Sequence, residues 1–359
     1  MARSWFARLL PGAIQFHLDL AEHCAGRLTG SFTQMPEEKP SALDCRPLRI
    51  HFWTPHPWYS AVIHVDRVVP QLREQAAALG LPWQITFGDR LPETPVDWLL
   101  CLKGVPPAGV CPVERTVLLL PDDADRVWGR LQRFGHVVSV TSEALASLLG
   151  AVHPHAWFMD ETESPEWIEG GRRTLERAAP SNRQPLLLWH GTRESMLGLQ
   201  PLRPVLETFA RETAVELVVL TGKEEKAERW GDLRVRHTAW SPENLAALAS
   251  QARLSIAPAR PTLADSYLKN AGRLRRLFGA GCPAIGDARV ADVVKFSEGC
   301  GMPVAQTPDE WLAALRQLWR EPARLDEIAR RGHALVSERY STVHTAAQWL
   351  WFFCTQGGR

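Results

Sequence analysis

Three bases, Lys269, Arg273 and Arg276, recur at i, i+4 and i+7, the spacing that places side chains on one face of a helix. No acid stands between Asp265 and Asp287, whereas a solvated helix would mix acids with such bases. A cationic stripe beside a helix start suits a diphosphate, because the dipole, the leading N–H groups and the side-chain cations all favour an anion. The same residues would equally form a basic, exposed face. Two other segments carry compatible chemistry. In Trp189-His190-Gly191-Thr192-Arg193, Gly191 permits close approach of backbone to phosphate and Arg193 supplies a bidentate clamp; an ordinary tight turn accounts for the glycine as well. In Thr238-Ala239-Trp240-Ser241, Trp240 offers a flat face to a nucleobase, or is one more packed indole among 15 tryptophans. The candidate binding set is therefore Gly191, Thr192, Arg193, Trp240, Ser241, Ser266, Lys269 and Arg273. Removing a proton from a hydroxyl needs a base, and Asp122, Asp123 and His56 are the candidates. Helix capping competes for Asp122, and packing between prolines competes for His56.

These groups act together only if elements gather them. Leu48–Trp53, Trp83–Phe87, Trp98–Leu102, Thr116–Leu120 and His136–Val140 are short apolar runs bounded by Pro, Gly or Asp, with a helix over about 61–79. Residues 160–184 are polar, carry Pro165, Gly170, Gly171 and Pro180, and read as a domain boundary. The alternation then restarts with strands at Leu186–Trp189, Val215–Leu220, Arg234–His237, Leu254–Ala257 and Pro283–Gly286. Helices are expected near 199–211, after Ser241-Pro242, and near 265–280, 309–318 and 342–353. The pattern predicts an α/β protein with two Rossmann-like domains, each a mostly parallel sheet that binds ligands beyond its strand carboxyl ends. The expected organisation is a helical extension and linker over 1–45, one Rossmann-like domain over 46–165, a second over 180–340, and a last helix over 341–359.

Composition narrows the partners. A length of 359 residues suits two domains, and a hydrophobic fraction of 45% supplies a core for each. The net charge of +1 provides no global field toward nucleic acid. Seven cysteines without metal-ligand spacing point to free thiols in a reducing cytoplasm. No apolar run reaches the ~18 residues of a membrane span. The first 30 residues pattern as an amphipathic helix, with Trp5, Phe6, Leu9, Leu10, Ile14 and Leu18 clustered. Such a helix lies on a membrane or packs on its own domain; Asp19 and Glu22 blunt its basic character and favour packing. A peripheral membrane contact through 1–20 stays open.

In order, these features resemble the C-terminal domain of GT-B glycosyltransferases, within the family-4-like group. Leu186 to Arg193 resembles the opening strand and glycine loop, and Trp240-Ser241-Pro242-Glu243-Asn244-Leu245 the base-contacting turn and its helix. Ile256-Ala257-Pro258 resembles a strand end, and Arg273 to Ile285 the segment E-A-x-A-x-G-x-P-V-I. Val138 to Glu143 resembles a strand of the first domain. The resemblance implies two domains facing a cleft, 46–165 for the acceptor and 180–340 for the donor, with the last helix over 341–359 crossing back to the first. It implies a nucleotide-diphosphate sugar, UDP- or GDP-linked, as donor. It further implies a hydroxyl acceptor, no obligatory metal or cofactor, and hexosyl transfer in bacterial cell-surface glycan or glycolipid synthesis. Retaining members carry two glutamates eight residues apart, where this chain has Leu268 and Arg276. The lysine of the diphosphate clamp stands as Leu197. Three alternatives share the architecture: a degenerate nucleotide-binding protein, a sugar-nucleotide epimerase, and a transferase acting on modified DNA bases.

Overall fold

The computed structural model describes residues 11–24, 26, 28, 30–36, 46–56, 59–121, 124–222, 226–260 and 268–356. The chain divides into two compact units. The first holds Met1–Thr162 with Thr342–Arg359, and the second Glu163–Ser341.

The first unit is built on a seven-stranded parallel sheet of β1 (Thr33–Gln34), β2 (Leu48–Trp53), β3 (Trp83–Gly88), β4 (Trp98–Leu102), β5 (Thr116–Leu120), β6 (His136–Ser139) and β7 (Ala156–Phe158). Their order is β1-β7-β6-β5-β4-β2-β3. Every side chain of β4 and β5 is buried, as expected of strands covered on both faces. Residues 31–45, read as linker, contribute β1, which pairs with β7 at Thr33–Trp157. Among the described residues of the amphipathic N-terminal segment, α1 (Pro11–Cys24) turns Phe16 and Leu20 inward. Phe16 packs edge-on against Trp128 at 5.1 Å, and the Trp128 indole N–H donates to Asp19 at 2.8 Å. Residues 1–10 lie outside the described residues. The helix expected over 61–79 is a π-helical stretch, Val62–Asp66, followed by α2 (Val68–Ala78).

The second unit has strands β8 (Gln184–His190), β9 (Glu216–Leu220), β10 (Lys226–Trp230), β11 (Leu233–Thr238), β12 (Ala252–Ala257), β13 (Ala284–Asp287) and β14 (Val304–Ala305), in the order β10-β11-β9-β8-β12-β13-β14. All pairs are parallel except the polar edge hairpin β10–β11, which turns at Gly231 with φ +55°. Around the sheet lie α4 (Pro165–Arg177), α5 (Arg203–Thr213), α6 (Pro242–Gln251), α7 (Gly272–Gly279), α8 (Ala291–Cys300), α9 (Pro308–Arg320) and α10 (Pro322–Arg339), while α3 (Glu143–Gly150) belongs to the first unit. The polar segment 160–184 is thus mostly helix: Ser164 caps α4 by accepting from Trp167 N at 3.3 Å, and Pro165 takes the first helical position.

The last helix, α11 (Thr342–Gln356), packs in the first unit. Trp349, Leu350, Phe352 and Phe353 join that unit's core beside Trp98 and Phe52. Its buried Gln348 amide donates to Met35 O at 2.9 Å. Cys101, Cys111, Cys282, Cys300 and Cys354 are free thiols. Among the described residues no helix is long and apolar enough to cross a membrane.

Candidate functional site

In the second sheet β8 continues to β9 on one side, while β12 lies on its other side. The gap between the ends of β8 and β12 is therefore the switch point where open α/β sheets receive ligands. Two loops meet there. Gly191 follows β8, and a Cβ on it would come within 3.0 Å of the Trp189 ring. Gly198 ends the 3-10 turn after it, and a Cβ there would lie 2.8 Å from Ala259 O in the loop after β12. Both glycines let backbone close on backbone or ring.

Cations border this point. Arg193 is exposed and its Nε lies 3.5 Å from where a Cβ on Gly222 would be, which brings the loops after β8 and β9 together. Trp240 N donates to Gly222 O at 3.1 Å, adding the loop after β11. The Glu194 carboxyl sits below its usual range, held chiefly by its own backbone N–H and the Thr192 hydroxyl, with the charges of Arg260 and Arg193 adding to the effect. Arg273 reaches across from α7 to donate to Pro258 O at 2.8 Å. Beneath them His190, the last residue of β8, is fully buried with its Nε2 3.5 Å from Arg273 O. Burial, then the neighbouring charges of Arg273 and Arg276, push its pKa down to about 3.

Several side chains expected at the site do other work. The helix expected over 265–280 begins at Gly272, so Lys269 lies exposed ahead of it and the three bases do not share one continuous helical face. The helix start is already capped: Ala271 N donates to Asp292 at 2.6 Å and Gly272 N to Asn270 at 3.1 Å. Arg276 is buried in a two-pronged ion pair with Glu163, Nε–Oε1 2.9 Å and Nη2–Oε2 3.1 Å, which neutralises its charge. Ser241 caps α6, accepting from Asn244 N at 3.0 Å. The half-buried Trp240 packs against the core. Thr192 accepts from Ser195 N at 3.3 Å, closing the loop. Ser266 lies outside the described residues.

One arrangement had no signal in the sequence beyond an acid two residues before a base. Asp287, at the end of β13 and fully buried, accepts from Ala259 N at 2.8 Å and from Arg289 N, Nε and Nη2 at 3.0, 2.8 and 2.6 Å. Arg289 also donates to Ala259 O at 3.1 Å. The pair thus holds Ala259, in the loop after β12, by both its N–H and its carbonyl.

The first unit has its own switch point, between β2 and β4. His56 lies exposed in the loop after β2, and Lys103 after β4 adopts φ +54°. Gly104 sits so close to Pro55 that a Cβ would be 2.7 Å from its ring. Asp122 and Asp123 lie outside the described residues. Among the described residues no three His, Cys, Asp or Glu side chains are gathered as a metal ion would require.

Comparison with known proteins bears on the fold and on the second half of the chain. Residues 199–351, less than half of the chain, match the family described as "Glycosyl transferase-like". A solved glycosyltransferase from Rickettsia africae superposes with a TM-score of 0.60 at 10% identity, over 86% of this chain and 98% of that one. The chain is GT-B in fold, and its residues 199–351 resemble a glycosyl transferase-like domain. HepE from Anabaena, solved with UDP and glucose, gives a TM-score of 0.55 at 10% identity over 84% and 98% of the two chains. WaaG, a glycosyltransferase of lipopolysaccharide biosynthesis, gives 0.53 at 13% identity over 84% and 99%. No curated protein matches the sequence. The predicted α/β class with two Rossmann-like sheets is borne out.

Proposed function

We propose that this GT-B chain transfers a glycosyl group from a nucleoside-diphosphate sugar to an acceptor hydroxyl, with the diphosphate held at the β8–β12 switch point by Arg193 and Arg273. The observation that carries the reading is that two arginines border this switch point, Arg193 in the loop after β8 and Arg273 on the carbonyl of Pro258 after β12, where Gly191 and Gly198 let the loops close. The HepE structures hold UDP, UDP and glucose, or UDP-glucose, which supports UDP-glucose as the first donor to try. As the glycosidic bond breaks, negative charge grows on the leaving diphosphate. Preorganised guanidinium groups stabilise it, each on the order of 3 kcal/mol of barrier. Lys269 and Ser266 complete the anion's surroundings, and Trp240 stacks on the base. The acceptor proton leaves to Asp122, Asp123 or His56 in the first unit. Transfer is hexosyl, needs no metal, and serves bacterial cell-surface glycan or glycolipid synthesis.

A thermal-shift series with UDP, GDP, CDP, ADP and dTDP tests the donor site. A ligand at a hundred times its Kd adds about 2.7 kcal/mol of stability. No shift with any of the five would sink the reading. A second reading, nucleotide binding without transfer, is favoured by Arg276 standing in a buried ion pair where retaining relatives carry a glutamate. Slow release of UDP from UDP-glucose by the native protein separates the two, because a binding protein would release none.

A further inference from the structure

The chain passes between its units twice, at Thr162–Glu163 and at Ser341–Thr342. The two passages run side by side: Glu163 N donates to Tyr340 O at 2.7 Å, and Glu163 bridges Ser341 in parallel. Just beyond, the hydroxyls of Thr162 and Thr345 meet at 2.8 Å. One helix, α7, is fastened to both passages. Arg276 holds Glu163 through two hydrogen bonds, with the carboxylate 1% and the guanidinium side chain 7% exposed. Arg275, also buried, lies over the Tyr340 ring at 4.3 Å and donates to Asp292 at 2.9 Å. The Trp167 indole N–H donates to Arg276 O at 2.9 Å, so α4 grips the same turn. The N-terminal turn of α7 carries Arg273, whose guanidinium sits on Pro258 O at the switch point.

We propose that the Glu163–Arg276 pair is a positioning device for the donor site: it fixes α7, and with it Arg273, to the two places where the chain passes between units. This rests on the donor-site reading above. A planar guanidinium gripping a carboxylate by two bonds fixes both distance and twist, which a single apolar contact does not. Because both charges are removed from water, the geometry has few alternatives: any slip leaves a buried charge without its partner.

The full-length native protein, Glu163→Gln, Arg276→Lys and the exchanged pair Glu163→Arg with Arg276→Glu are titrated with UDP, and their melting is followed without nucleotide. Both single variants are expected to bind UDP on the order of tenfold more weakly than the native protein. The exchanged pair regains part of that loss. UDP affinity equal in all folded variants overturns the proposal and leaves the donor site standing. Failure of the native protein to bind any of the five nucleoside diphosphates overturns the donor-site reading and this one with it. Hydrogen exchange on the native protein gives an arm that needs no variant. UDP is expected to slow exchange at Glu163 and at 340–341 as well as at 273–276, and protection confined to the latter refutes the coupling.

Discussion

Lowering the pH from 7.5 to 5 should destabilise the second unit through His190. The imidazole has an ordinary pKa of 6.5 and a folded one of about 3, because it is buried and lies near Arg273 and Arg276. At pH 5 the folded protein therefore keeps His190 neutral while the unfolded chain protonates it. The unfolded state binds more protons across this window, so stability falls as pH drops below 6.5, and the fall levels off only near pH 3. Half the window is already crossed at pH 5, which corresponds to about 2 kcal/mol lost from this one residue. Urea unfolding followed at pH 7.5 and pH 5 in native protein and in His190→Gln measures it, since glutamine fills similar space without titrating. The variant should be less stable at pH 7.5 but lose about 2 kcal/mol less than native protein on acidification. Equal losses in the two proteins would refute the assignment. His136, lowered to about 4 mainly by burial and then by His155 and His153, acts with the same sign on the first unit. The two units should accordingly both soften below pH 6.5, and His190→Gln should change only one of them.

Three further outcomes follow from contacts. Arg183 donates to the carbonyls of Ala178, Ala249 and Gly281, so Arg183→Met should cost about 3 kcal/mol in urea unfolding by orphaning buried acceptors. A Cβ at Gly171 would lie 1.9 Å from Gly279 O; Gly171→Ala should therefore lower stability by about 2 kcal/mol despite its better helix propensity, and weaken UDP binding by displacing α7. Arg273→Glu should weaken UDP binding on the order of a hundredfold with the melting temperature of the nucleotide-free protein nearly unchanged, checked by calorimetric titration.

Much of the scaffold was legible because buried parallel strands are near-continuous apolar runs. Trp98–Leu102 and Thr116–Leu120 coincide with β4 and β5. What escaped was placed by partners distant in sequence. Ser164-Pro165-Glu166 carries the same capping signature as Ser241-Pro242-Glu243, yet Gly170 and Gly171 made the segment read as loop. In α4, Gly171 sits where the backbone of α7 presses, and the close contact offsets the about 1 kcal/mol that glycine costs a helix. Polar β10 has no apolar alternation to reveal it and is held as an edge by β11. At the site, spacing alone made Lys269, Arg273 and Arg276 one stripe. The acid that claims Arg276 lies 113 residues upstream, and no local pattern encodes that pairing.

The arginines of α7 therefore divide by neighbour rather than by helical face. Arg273 sits in the first turn of α7 against a carbonyl, a neutral partner that does not cancel a guanidinium's charge. Arg275 and Arg276 face acids inside the unit, where that charge is consumed. In the proposed donor site, a diphosphate would bring about two negative charges, and with Arg276 paired they would fall to Arg193 and Arg273. On that proposal the site depends on few cations held to fixed places, and small displacements of α7 matter more to it than the net charge of the surface. The glycine contacts at Gly171 and Gly279 and the ion pair at Glu163 all limit those displacements, so in this unit the interactions that stabilise the fold are also those that would hold the proposed site in shape.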